Sequence, residues 1–515
     1  MRGHLFVVDG NIEKLAVDAW YLPVDRIFNV TNVWADTRSK IAQDIWDERT
    51  FDWGQDELAR FLAVVDDSDV WLGNVGRKSS VDASHYAECA IHFVTKASEK
   101  WRKENPEEPR LPLVAINHLG TGQGGARELH GHVLTHLITA LNRELDNGLR
   151  ADIVLVSWGQ IPESAAQFAR FKRKSNWRED PQWRFEYEQD RLHDTAQDLA
   201  FRICRKSAAI FMGAGVSKGA GLPGWSELLI ELGRETRPLT TETDLQAAGD
   251  PRDQANLLDR RFKESGQSFT SSLQRRFKTA KYSLQHGLIA SLPCEEFITT
   301  NVDELFEDAC STAGRSITVM PHAVKSPRWL LKLHGTIKNE SSLVFTRDNY
   351  LQSIRANRAL FGLVQAMLFT RHMIFIGYGL GDEDFHEVVY DVRSAFQQGS
   401  DTEVFGTALT LVDDPVKAEL WKDVLDIVPM RPAGTPVSEA VRDLERFLDL
   451  VGMLASDRFS FILDVQYSGL LDPNEKELAE RLHSVADVIV RNGTADHSWQ
   501  EVRELLERLG FKDHR

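Results

Sequence analysis

The sequence predicts an α/β protein of two domains, each a sheet layered with helices, the second holding an open parallel sheet with a helical insertion. Three observations carry this. The chain has 515 residues, whereas a single core seldom grows past roughly 300. Short apolar runs alternate with segments of helical period in both halves of the chain. The runs of the second half end in glycine or polar residues, as parallel strands buried on both faces do where they leave a sheet.

Taken in order, HLFVVDG (4–10), LPLVAIN (111–117) and ADIVLVSWG (151–159) read as strands of the first domain, residues 1–165. Between the last two lies a helix, with Val133, Leu134, Leu137, Leu141 and Leu145 on one face. Residues 166–200 are charged, aromatic and nearly free of glycine. They read as a helical linker broken at Pro181, with two readings of its aromatics. Trp177, Trp183 and Phe185 pack between domains, or they stack on nucleic acid beside the basic residues. The acidic residues that follow favour packing.

The second domain spans 201–450. SAAIFMGAG (207–215), EEFITTNVD (295–303), WLLKLHG (329–335), HMIFIGYG (372–379) and FGTALTLVD (405–413) are its strands. A polar helical lobe is inserted over about 236–285, and two amphipathic helices form a tail over 451–515.

Composition excludes several classes. The net charge of −16 argues against wholesale coating of nucleic acid or anionic membrane, though it leaves room for a local basic patch. The most apolar stretch, Leu363 to Leu380, is interrupted by Arg371 and His372, short of the ~20 apolar residues that span a bilayer. The first apolar run is too short for a signal peptide. Cys89, Cys204, Cys294 and Cys310 form no C-x-x-C pair, so neither a disulfide framework nor a zinc ribbon is expected. These features predict a cytoplasmic protein with reduced thiols.

Functional groups of an open parallel sheet gather at the C-terminal ends of its strands. Four such ends carry conspicuous residues. The first is Gly213-Ala214-Gly215-Val216-Ser217, followed by Gly221-Leu222-Pro223-Gly224-Trp225. The others are Thr299-Thr300-Asn301-Val302-Asp303, Lys332-Leu333-His334-Gly335, and Gly377-Tyr378-Gly379-Leu380 with Asp382, Asp384 and Phe385 after it. Glycines let backbone N–H groups approach a pyrophosphate. The usual G-x-G-x-x-G fingerprint is not met, because Lys218 holds its sixth place. Each end also has a plain reading: Asn301 and Asp303 can cap the following helix, and His334 can be a satisfied turn residue.

In this order GAGVS, GLP, TTNVD, LHG and GYGL resemble the cofactor motifs of the sirtuin family over residues 200–420. The paired C-x-x-C motifs of the protein-deacylating members are missing, which disfavours a zinc-dependent deacylase. The fuller pattern GAGVS…GLPGW, TTNVD, KLHG, FTRDNY and GYGLGDEDF is similar to the sirtuin-like NAD-consuming effectors of bacterial antiphage defence. The resemblance implies a Rossmann-like domain and a zinc-independent NAD glycohydrolase that depletes NAD. NAD is then substrate and no metal is needed. A homo-oligomer and a second defence-system protein are the partners it implies. Gly213, Ala214, Gly215 and Ser217 would cradle phosphates, and Gly377, Tyr378 and Gly379 would meet the adenosine. Leu222, Pro223, Trp225 and Thr300 complete the implied binding set.

The residue types suit the chemistry. Cleaving a nicotinamide–ribose bond passes through an oxocarbenium-like centre, and the leaving group needs no strong acid. Asn301 can position a water or ribose hydroxyls, His334 can accept a proton, and Asp303 can orient the ribose or Asn301. The alternative is a nucleotide-binding sensor or scaffold with little turnover.

In the first domain, LVAINHLGTGQGGARELHGHVLTHL resembles the second phosphate loop and helix of macro domains, and GNIEKLAVDAWYLPVD their opening, with Asp18 at an adenine-contacting position. The resemblance implies an ADP-ribose-like ligand and a sensor coupled to the effector. The plain alternative is a glycine-rich turn in a structural domain.

Overall fold

A computed structural model describes residues 1–25, 30, 34–41, 53, 57–76, 83–120, 129–174, 176–278, 281–321, 326–356, 358–381, 383–395, 404–492 and 497–512. The chain forms two compact units, Met1–Arg184 with Ser456–Arg515, and Phe185–Ala455.

The first unit holds a six-stranded sheet of β1 (Leu5–Asp9), β2 (Ala19–Asp25), β3 (Ala59–Val65), β4 (Ser68–Gly76), β5 (Leu113–Asn117) and β6 (Asp152–Ser157). The strand order is β1-β6-β5-β2-β4-β3, parallel except for the β3–β4 hairpin. The three strands read from sequence are β1, β5 and β6. β2 escapes a pattern reading because Pro23 interrupts its run. The hairpin escapes because its turn is Asp66-Asp67, both with positive φ (46° and 61°), a weaker signal than the usual Asn-Gly. The helix His130–Asp146 forms as its spacing requires and buries all five predicted residues.

Of the residues 451–515 read as a helical tail, Ser456–Arg515 belong to this unit. The helices Pro473–Asn492 and His497–Arg508 contribute Ala479, Ala486, Ile489 and Leu506 to the core around β1, β5 and β6. Amphipathic helices need a partner face, and sequence period alone does not name it. The stretch read as a linker is likewise divided between the units. Trp183 is buried, with the Arg170 guanidinium 5.0 Å from its ring, and Phe185 is buried in the second unit. Neither ring is offered to a base.

The second unit holds β7 (Ala208–Met212), β8 (Glu296–Thr299), β9 (Thr318–Met320), β10 (Trp329–Lys332), β11 (His372–Ile376), β12 (Gly406–Val412) and β13 (Leu425–Arg431). All pairs are parallel, in the order β13-β12-β11-β7-β8-β10-β9. The five predicted strands are the sheet's interior. The two unpredicted ones are its edges, where β9 is three residues long and β13 carries Pro429. From β7 the chain steps one way to β8, β9 and β10, then returns past β7 to β11. The direction reverses between β7 and β11, and the crevice beyond their C-terminal ends is where ligands of such sheets bind.

The insertion is a helical lobe with its own core. Leu228, Leu229 and Leu232 of the helix Trp225–Gly233 meet Leu245, Ala255, Leu258, Phe262, Phe269 and Leu273. Val302, Leu343 and Phe345, which follow strand ends, enter the same core. Among the described residues no helix is long and apolar enough to cross a membrane.

Candidate functional site

The glycines of the first strand end have a steric reason. A Cβ on Gly213 would lie 2.5 Å from Gly377 O, and one on Gly215 2.8 Å from Gly377 Cα. Gly377 itself has φ +62° and would strike Val216 N at 2.6 Å. The loops after β7 and β11 therefore cross backbone on backbone, joined by Gly213 N–H to Ile376 O (3.0 Å) and Gly215 N–H to Gly377 O (2.9 Å). Val216 and Ser217 N–H donate to Gly213 O and Ala214 O. These bonds use N–H groups that a phosphate cradle would otherwise offer.

Asn301 and His334 are brought to matching places by register. β10 pairs with β8 with Lys332 opposite Thr299, and Leu333 N–H continues the ladder to Thr299 O at 2.9 Å. Asn301 and His334 each lie two residues beyond that pair. Lys332 binds the two ends together. Its Nζ, nearly wholly enclosed, donates to Asp303 O and pairs with Glu307 at 2.6 Å. Burial pushes the Glu307 carboxyl up, against the opposing pull of Lys332.

The Asn301 amide is clamped. Its Nδ2 donates to Gly213 O and to Ser217 Oγ, both at 3.1 Å. Both amide hydrogens are thereby used, and Oδ1 is the atom left to accept. Ser217 Oγ donates in turn to Asp303 Oδ2 at 2.9 Å, and Asp303 Oδ1 accepts Leu305 N–H at 3.1 Å. Asp303 thus accepts the first N–H of the helix Leu305–Thr312 from one residue outside its N-cap, Glu304, and anchors the network. The reading of Ser217 as a phosphate contact does not follow from this geometry. The residue is buried, and its hydroxyl is satisfied by Asn301, Asp303 and His286.

His286 was not read from the sequence, although Ser283 three residues before it is the signal of a capping box. Ser283 Oγ caps the helix Leu284–Ser291, and Ser283 N–H donates to His286 Nδ1 at 3.2 Å. The ring's Nε2 lies 3.4 Å from Ser217 Oγ. Because the single Ser217 hydrogen goes to Asp303, Nε2–H is the donor here. Burial pushes His286 down to about 4, so the ring is neutral near pH 7.

His334 is buried, its main chain fixed by Val344 N–H to His334 O (3.1 Å), its ring edge-on to Tyr350 at 5.1 Å. Gly335 follows at φ +80°, where a Cβ would lie 2.0 Å from Ser342 O. The remaining predicted binding residues scatter more. Leu222 is buried, Pro223 half-buried, and Trp225 stacks on Phe345 at 4.9 Å. Thr300 is half-buried. Tyr378 packs its ring on Phe211 (4.6 Å), with the apolar cluster below the crevice. Gly379 is exposed, and its carbonyl accepts Lys417 Nζ at 3.0 Å. Asp382 and the side chain of Asp384 lie outside the described residues.

Residues 295–424 match the SIR2-like domain. Three of the four strand ends fall within that SIR2-like match, and the Gly213–Ser217 turn precedes it. The chain is 28% identical over 279 residues to "NAD(+) hydrolase ThsA" of Enterococcus faecium, covering 51% of this chain and 55% of that protein. It is 29% identical over 198 residues to the protein of that name from Cytobacillus dafuensis, covering 36% and 38%. "Defense-associated sirtuin 2" of Bacillus subtilis is 30% identical over 116 residues, 21% of this chain and 12% of that protein. The chain spans about half or less of the length of these relatives. Among the described residues no group of three or more His, Cys, Asp or Glu could hold a metal ion. Burial holds the Cys294 and Cys310 thiols up at about 11.

The first unit corrects one expectation. Asp18 precedes β2 and is taken up by Arg110, which grips both carboxylate oxygens at 2.7 Å, and by Leu113 N–H. It stands at the strand's N-terminal end, whereas the glycine-rich loop follows the C-terminal end of β5. Residues 121–128 of that loop lie outside the described residues. At the C-terminal ends, Asp9 accepts Gly159 N–H at 2.7 Å and His118 Nε2 lies 2.9 Å from Ser157 Oγ. Burial pushes His118 down to about 3.

Proposed function

We propose that the second unit hydrolyses NAD to ADP-ribose and nicotinamide, without zinc, and that this depletes NAD in antiphage defence. The observation that carries the reading is the clamped Asn301 amide, placed in register with His334 beside the β7–β11 switch point. The names of the relatives, NAD(+) hydrolases, point the same way.

The nicotinamide ribose lies between Asn301 and His334, the pyrophosphate against the exposed Ala214 of the turn after β7, and the adenosine towards Gly377–Gly379. Asn301 Oδ1 accepts a hydrogen from the attacking water or a ribose hydroxyl. The C1′–N bond breaks with its electron pair going to the pyridinium nitrogen, which becomes neutral. The water oxygen bonds to C1′, and its proton passes to His334 and then to solvent. Asp303 acts at one remove, through Ser217 on Asn301. The chain works as a cytoplasmic homo-oligomer with a second defence-system protein, and the first unit takes an ADP-ribose-like ligand at the ends of β1, β5 and β6. The exposed Trp158 beside those ends offers a flat apolar face to such a ligand.

The test is conversion of NAD to ADP-ribose and nicotinamide by the full chain, alone and with the products of neighbouring genes. Asn301→Ala and His334→Ala should each lose about 10²-fold or more, bind NAD still, and combine less than additively. A stable His334→Ala protein that cleaves NAD at the original rate would overturn the role of His334, and no turnover by the full chain under either condition would favour the sensor reading.

A further inference from the structure

The FTRDNY segment (345–350) carries no group the proposed chemistry uses, yet each end of it meets something that matters. At its start, Phe345 stacks on Trp225 with an interplanar angle of 11° and enters the core of the helical lobe. Thr346 and Asn349 cap the helix Arg347–Ala356 reciprocally, Thr346 N–H to Asn349 Oδ1 at 3.1 Å and Asn349 N–H to Thr346 Oγ1 at 3.2 Å. Arg347 reaches into the lobe and grips Asp253 with two bonds of 2.7 Å. At its end, the buried Tyr350 presents its ring to His334.

The lobe also reaches the Tyr350 ring. The Arg252 guanidinium stands 5.2 Å from the Tyr350 ring centre, and two bonds of 2.9 Å to Asp250 fix it there. Asp250 is 3.1 Å from Arg347 as well. Arg252 and His334 therefore both bear on the Tyr350 ring, the cation 5.2 Å from its centre and the imidazole edge-to-face at 5.1 Å. An imidazole has few bonds about which to turn. A buried aromatic wall limits that turning, and a displacement of about 1 Å at a reacting group costs up to about 10²-fold.

We infer that Tyr350 is a positioning residue for His334, and that the helical lobe sets this position through Arg252. The lobe then serves the reaction without touching the substrate: it fixes the base by Tyr350, and it grips the Asn301–Asp303 segment by Val302. The inference rests on the proposed role of His334.

The experiment uses the full chain. Tyr350→Leu should lower kcat about 10- to 100-fold with KM changed less than about twofold, while Tyr350→Phe, which keeps the ring, recovers most of that turnover. Arg252→Met should fall between them. In a His334→Ala background, Tyr350→Leu should have no further effect, because the residue acts through the imidazole. A crystal structure of Tyr350→Leu should show the His334 ring turned from its place, a readout independent of turnover. Unchanged kcat in Tyr350→Leu, an unmoved His334 ring, equal losses in Tyr350→Phe and Tyr350→Leu, or a further loss in the His334→Ala background would each overturn the inference. Full activity of His334→Ala would instead sink the reading on which it rests.

Discussion

Replacing Ser217 by alanine tests the buried network directly, because that hydroxyl holds three partners at once. The substitution removes the 2.9 Å bond to Asp303, the 3.1 Å bond from Asn301 and the longer 3.4 Å contact with His286. A hydrogen bond to a carboxylate is worth about 1.5–3 kcal/mol, and a buried donor left without a partner costs about 1–3 kcal/mol. Asn301 keeps Gly213 O, Asp303 keeps Leu305 N–H, and alanine leaves little empty space. The expected loss is therefore about 2–4 kcal/mol, or a fall in the melting temperature of this unit of about 5–10 °C. Turnover should fall about 10-fold or more, since the Asn301 amide is then held at one point instead of two. Denaturant unfolding at pH 7.5, followed on Ser217→Ala, Asp303→Asn and the double variant, isolates the pair. A coupling of about 1–2 kcal/mol is expected. A loss below about 0.5 kcal/mol, or additive single effects, would show that the network is not a structural unit.

Acid should destabilise the second unit through His286. Its folded value lies at about 4 against 6.5 when free, so the unfolded chain binds the proton first. The stability tied to the neutral ring is complete above pH 6.5 and lost as the pH falls towards 4. A gap of that size corresponds to about 3 kcal/mol, and His286→Gln should flatten the pH dependence of denaturant unfolding in that window. Gly335→Ala should cost about 2 kcal/mol or more, from its left-handed backbone and the encounter with Ser342 O. Gly362→Ala, inside a helix with open space around the added carbon, should stabilise by about 0.5–1 kcal/mol; calorimetry on the two decides whether local space governs the sign. Strong chelation should leave fold and NAD cleavage intact, and stoichiometric zinc in the purified protein would count against the assignment.

Some of this was legible in the residues alone. Interior parallel strands are apolar on both faces, so β7, β8, β10, β11 and β12 announce themselves as runs ending in glycine or polar residues. With those strands located, the general rule for open sheets already gathers Gly213, Asn301, His334 and Gly377 at one edge. The helix His130–Asp146 follows from its period.

Other features depend on partners far along the chain, and these the tertiary structure decided. Pattern gives a helix an apolar face without saying what covers it. The amphipathic C-terminal helices therefore read as a tail used for packing or subunit contact, and Ile489 and Leu506 in the first unit's core show packing. β9 has only three half-buried residues and the run of β13, though mostly buried, is interrupted by Asp426 and Pro429, and so both were hidden. A glycine's neighbours cannot be read from its own sequence. Gly213 and Gly215 suggest a phosphate cradle, whereas the fold requires them because the Gly377 loop crosses at contact distance. The same holds for Ser217: its type and spacing suit a ligand contact, and only the approach of Asn301, Asp303 and His286 from three other segments shows that the hydroxyl is already satisfied. Hydrogen bonding is directional and short-ranged, so a side chain's role is fixed by which groups the fold brings within about 3 Å of it.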